Sequence, residues 1–115
     1  MIKPYRPGQD RKQAHGNKAE RRLSKRLDAR LTPASGALQG AKGDMTTEQF
    51  RIESKATVKD SYRLTLETLC KASDEATEQG QVPAVAVQFT TADGRLRRCG
   101  GWVVVPEHVF KEFVG

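Results

Sequence analysis

Between Gly43 and Thr57 the chain reads GDMTTEQFRIESKAT, which sets two carboxylates, Asp44 and Glu53, close to one lysine, Lys55. Side chains of an extended segment alternate with a period of two, so Phe50, Ile52 and Ala56 share one face and Arg51, Glu53 and Lys55 the other. Glu53 and Lys55 are then neighbours on a strand whose reverse side is apolar, where solvation is poorer and charges act more strongly. Asp44, which follows the flexible Gly43, is placed to join them from an adjoining strand end or turn. Two acids and a lysine that converge suit a hard divalent cation such as Mg²⁺, which needs only one or two carboxylates beside water and a substrate phosphate. The expected chemistry is phosphodiester hydrolysis, with the ion polarising a phosphoryl oxygen and activating water, and the lysine orienting that water or neutralising charge at phosphorus. Glu-x-Lys also occurs as a plain solvated strand pair, so the rest of the chain has to support the site.

The chain's 115 residues suffice for one domain with a single core. Its formal net charge of +6 points to a polyanionic partner, and the charge is uneven. Residues 1–30 hold ten Lys/Arg against three acids, and the remainder is nearly balanced, so the basic footprint is the first third. No apolar run approaches a membrane span and no signal-peptide pattern opens the sequence, so no membrane association and a cytoplasmic location are expected. Cys70 and Cys99 lack metal-ligand spacing and read as reduced, semi-buried thiols; with only two histidines a zinc site is not expected.

The elements that must position the acids follow in order. Residues 1–14 mix prolines, a glycine and basic residues without apolar periodicity, which reads as a flexible basic arm. From Gly16 to Leu31 the pattern is helical, with Asn17 as N-cap, Ala19, Leu23, Leu27 and Leu31 as the packing row, and Lys18, Arg22, Arg26 and Arg30 as the adjoining basic row. Glu20 falls within the apolar stripe, where it either pairs with a basic neighbour or reaches the site from the helix. Thr32 to Lys42 is a loop, in which Ser35 and Gly36 either place donors near a phosphate or serve the turn. A strand over about Phe50–Thr57 leads to a helix capped at Asp60 or Ser61 and running to about Gln79, with Leu66, Leu69, Ala72, Ser73 and Ala76 inward and Gly80 as its stop. VPAVAVQFT, from Val82 to Thr90, suits a central strand parallel to the first through a βαβ crossover. Asp93-Gly94 marks a hairpin, Arg97 to Val105 the returning strand with a bulge at Gly100 and Gly101, and Pro106 a last short helix. Trp102, Phe110 and Phe113 read as core or dimer-interface residues. The expected fold is a single α/β domain, a central mixed β-sheet flanked by helices.

Helix with inward Glu20 in GNKAERRLSKRL, loop with Ser35-Gly36, Asp44, strand with Glu53 and Lys55 in IESKAT, helix, buried strand and hairpin: this order resembles the PD-(D/E)XK nuclease superfamily (a restriction-endonuclease-like core), and within it the archaeal-type Holliday junction resolvases, which also occur in viruses. Gly43 stands where the proline that names the superfamily would be, and Gln88 where some resolvases carry arginine. The resemblance implies a nuclease domain over 15–115 and a homodimer that uses Mg²⁺, with Mn²⁺ as substitute, to make paired nicks in four-way DNA junctions. It implies Glu20, Ser35, Asp44, Glu53 and Lys55 as catalytic residues, and Asp44, Glu53, the Ser54 backbone carbonyl and Glu20 around the metal. Lys18, Arg21, Arg22, Lys25, Arg26, Arg30 and Lys59 are the expected phosphate contacts. The other readings are a small nuclease of the same superfamily acting on flaps or single strands, and a non-catalytic basic DNA-binding module whose acids are structural.

Overall fold

A computed structural model describes residues 18–32 and 43–115. Helix α1 covers 18–27 and buries Ala19 and Leu23. It ends four residues before the expected Leu31, because Asp28 takes a left-handed conformation at φ 53°. There the Ala29 N–H donates to the Ser24 carbonyl at 2.8 Å and the Asp28 N–H to the Lys25 carbonyl at 3.3 Å, the paired bonds of a Schellman stop. Aspartate is among the few non-glycine residues that accept this backbone.

The chain then enters strand β1, Arg30–Leu31, which pairs antiparallel with β2, Gly43–Thr46. A turn at Thr47, whose hydroxyl accepts from the Phe50 N–H at 3.0 Å, brings back β3, Phe50–Thr57, antiparallel to β2. Helix α2, Leu66–Glu78, crosses over to β4, Val82–Thr90, parallel to β3. Strand β5, Leu96–Val104, returns antiparallel and completes a mixed sheet ordered β1-β2-β3-β4-β5. Helix α3, Glu107–Val114, follows. No helix among the described residues is long and apolar enough to cross a membrane.

Each sheet face has its own core, as strand alternation requires. On one, Leu23 of α1 packs with Met45, Ile52, Ala84 and Ala86, joined by Leu27 and Leu31. Leu31 thus fills its expected apolar role from a strand, which is why the leucine periodicity outran the helix. On the other face Ala72 of α2 meets Val85 and Val87, with Tyr62, Leu64 and Leu69 against them.

Helix α2 begins later than the sequence suggested. Its N-cap is Thr65, whose hydroxyl accepts from the Thr68 N–H at 3.2 Å, in place of Asp60 or Ser61. The intervening chain instead lays Tyr62 and Leu64, two residues apart, onto the sheet, an apolar gain that a longer helix would forgo. Leu66, expected inward, sits in the first turn and is exposed, as is Ser73; Ala72 and Ala76 are the buried stripe. Cys70 and Cys99 are both exposed, correcting the semi-buried reading. Trp102, Phe110 and Phe113 are 59%, 62% and 89% exposed, so they are not core residues of this domain.

Strand β5 carries its irregularity where glycines were expected: four residues, 97–100, stand against Phe89 alone between the Gln88–Gly101 and Thr90–Leu96 pairs. A side chain at Gly100 would collide with the Phe89 carbonyl. The β4–β5 hairpin turns at Gly94, φ 84°, beneath the start of α1, where an added Cβ would lie 3.0 Å from both the Ala19 nitrogen and the Lys18 Cβ. Gly80, which stops α2 at φ 68°, has open space around it. Gly80→Ala is expected to cost about 1–2 kcal/mol from backbone conformation alone, and Gly94→Ala measurably more, because α1 must also shift; urea titration of both variants reads the difference.

Candidate active site

The acids are brought together by register. Asp44 on β2 lies directly opposite Glu53 on β3, so the two side chains project from the same face with Cβ atoms about 5 Å apart. Both are buried, at 6% and 7% exposure. Lys55, two residues further along β3, holds its Nζ 3.4 Å from Glu53 Oε1. Arg51, two residues back, donates from Nη2 to Asp44 Oδ2 at 2.6 Å and to Glu75 Oε2 at 3.1 Å. Its Nη1 donates to Gln79 Oε1 at 3.3 Å. Along one strand face, cation, anion and cation therefore alternate beside a second anion, and α2 supplies the outer partners.

Glu20 belongs electrostatically to this cluster. Burial raises its carboxyl above the ordinary glutamate value, the Asp44 charge adds to the rise, and Arg21 offsets part of it. Ionised Glu20 therefore weakens the fold once the pH exceeds its folded value, whereas below 4.5 it is protonated in folded and unfolded chains alike. Glu20→Gln is accordingly expected to raise the melting temperature at pH 7 in chelator, with the gain fading to nothing as the pH falls below about 4.5. A gain that persisted in acid would assign the effect to packing.

Ser35 lies outside the described residues, as does the expected arm over 1–14. Ser54 turns its side chain to the opposite sheet face, where its hydroxyl accepts from Gln88 Nε2 at 3.3 Å. Gln88, fully buried, in turn accepts at Oε1 from Arg26 Nη2 at 2.7 Å. This chain ties α1 to the residue between Glu53 and Lys55. Burial and the neighbouring Arg22 charge lower the Arg26 pKa. The expected basic row thus divides. Arg26 reaches Gln88 and Arg22 donates to the Asp93 carbonyl, while Lys18, Arg21, Lys25 and Arg30 are exposed on α1 and β1. Lys59, also exposed, follows β3.

Arg51 and its partners Glu75 and Gln79 were not singled out from sequence. Alternation puts Arg51 on the acidic face, but Glu75 is 24 residues away and becomes its neighbour only through the crossover. Among the described residues no group of three or more metal-ligating side chains converges. Two carboxylates nevertheless fit a hard cation that completes its shell with water and phosphate, and the opposed, buried pair at Asp44 and Glu53 already demands nearby positive charge. No family model, curated protein or solved structure matches the chain.

Proposed function

We propose that the chain is a metal-dependent DNA endonuclease with a PD-(D/E)XK core, acting as a homodimeric Holliday junction resolvase. The observation that carries this reading is the cross-strand pair Asp44 and Glu53 with the Lys55 ammonium 3.4 Å from Glu53. Asp44 and Glu53, with the Ser54 carbonyl, would hold Mg²⁺ or Mn²⁺, which when bound supplies Lewis-acid stabilisation of a phosphoryl oxygen. Lys55 orients the attacking water and meets the charge that develops at phosphorus. Glu20, its proton affinity raised by burial and by the Asp44 charge, is near enough to that acid to feel it and would serve as a proton acceptor. Lys18, Arg21, Lys25, Arg30 and Lys59, exposed around the sheet, hold backbone phosphates. Exposed Trp102, Phe110 and Phe113 supply apolar surface for a second copy, and a two-fold dimer would present two active sites to a branched substrate.

The competing reading, a DNA-binding module with a structural acidic cluster, draws on the Arg51–Asp44 ion pair, which gives that acid a partner without any metal. A labelled four-way junction, compared with matched duplex, flap and single-stranded DNA in Mg²⁺, separates the possibilities. Paired symmetric nicks confined to the junction are expected. Cutting of flaps or single strands would keep the nuclease and discard the resolvase, whereas binding without cutting would favour the module.

A further inference from the structure

Arg51 shares its strand face with Glu53 and Lys55 and is nearly enclosed, its side chain 12% exposed. One of its nitrogens is divided between Asp44, at 2.6 Å, and Glu75, at 3.1 Å, while the other reaches Gln79 at 3.3 Å. Glu75 on α2 and Gln79, the C-cap of that helix, stand one turn apart, so they meet the guanidinium as a pair. A single cation thus bridges an acid of the candidate metal site and a helix beyond it. The geometry points to Arg51 as a displaceable counter-cation, which neutralises Asp44 in the ion-free protein and is retained by Glu75 and Gln79 when a divalent cation takes that carboxylate. The inference rests on the proposed ion site at Asp44 and Glu53.

Two buried carboxylates placed opposite one another repel, and each here has its own cation, Lys55 for Glu53 and Arg51 for Asp44. A dication at Asp44 would meet the guanidinium at contact distance, so the two compete. Displacement is tolerable because the planar fork has donors for more than one acceptor. Moving towards α2 leaves Arg51 hydrogen-bonded to Glu75 and Gln79 rather than buried without a partner. The apparent ion affinity then depends on both holds: weakening the grip on Asp44 raises it, and weakening the refuge on α2 lowers it.

Titration of Mn²⁺ alone, without DNA, into wild type and variants tests this, read by calorimetry and by the electron paramagnetic resonance of free Mn²⁺. Glu53→Gln serves as the control for the site itself. Arg51→Met is expected to bind Mn²⁺ about tenfold more tightly, since a charge-assisted competitor has gone. Gln79→Ala, which changes no charge, is expected to bind about twofold more weakly, because the refuge is poorer. In wild type, Mg²⁺ should shift the Arg51 Nη resonances. Unchanged or weaker binding in Arg51→Met, with Glu53→Gln losing the ion, would overturn the counter-cation role and leave the metal site standing. Equal binding by wild type and Glu53→Gln would remove the site, the proposed function and this inference together. Should Arg51→Met fail to fold, Gln79→Ala decides: weaker binding supports the displacement, and unchanged or tighter binding refutes it.

Discussion

Replacing Lys55 by methionine is expected to slow DNA cleavage by about 100- to 1,000-fold, the loss typical when one preorganised positive or hydrogen-bonding group is taken from a developing oxyanion. The variant keeps most of the aliphatic stem and loses the charge. Lys55 is partly exposed but pairs with the buried Glu53 at 3.4 Å, so its loss is expected to cost about 1–3 kcal/mol of stability and leave the fold intact. Binding of DNA should likewise persist, because the exposed cations of α1 and β1 are untouched. Single-turnover rates on a junction, alongside a binding isotherm and a melting curve, separate these quantities. A fall in affinity that matched the fall in rate would make Lys55 a phosphate-binding residue, and an unchanged rate would take it out of the chemistry.

The second large effect concerns the support of the site. Leu23 is 3% exposed and is the residue of α1 that packs directly with Met45, Ile52, Ala84 and Ala86. Leu23→Ala is expected to cost about 2–5 kcal/mol, the lost transfer energy plus a cavity that the sheet cannot close. For a domain of this size that lowers the melting temperature by roughly 10 °C or more. Because α1 also carries Glu20 and, through Arg26 and Gln88, braces Ser54, activity should decline before global unfolding. Leu66→Ala is the informative control: Leu66 is 75% exposed, and its truncation should change stability by less than about 0.5 kcal/mol. Equal losses in the two variants would contradict the assignment of the buried face of α2.

Strand β3 was legible because its alternation of apolar and charged residues is a local signal, and the observed span is the expected one. The apolar run of β4 and the Asp93-Gly94 turn were readable for similar reasons. The pairing of Asp44 with Glu53 was anticipated only as convergence. Its register depends on where the Thr47 turn reverses the chain, which no periodicity reports. The end of α1 was hidden by Leu31, whose place in the leucine row serves a strand as well as a helix when both pack on one core. The cap of α2 was misplaced because Asp60 and Ser61 are good capping residues, yet Tyr62 and Leu64 gain more by lying on the sheet. The face of Arg51 was readable but its role was not, because a side chain's face is a local property, whereas its partners Glu75 and Gln79 are set by the crossover.

The central claim is that Asp44 and Glu53 hold a divalent cation for phosphodiester hydrolysis, and nicking of a labelled four-way junction by wild type and Glu53→Gln, each in Mg²⁺ and in chelator, tests it most directly. Cleavage by wild type in Mg²⁺ alone, with none from Glu53→Gln although that variant still folds and binds the junction, is the predicted result. Cleavage by wild type in chelator, cleavage undiminished in Glu53→Gln, or binding without any cleavage would contradict it.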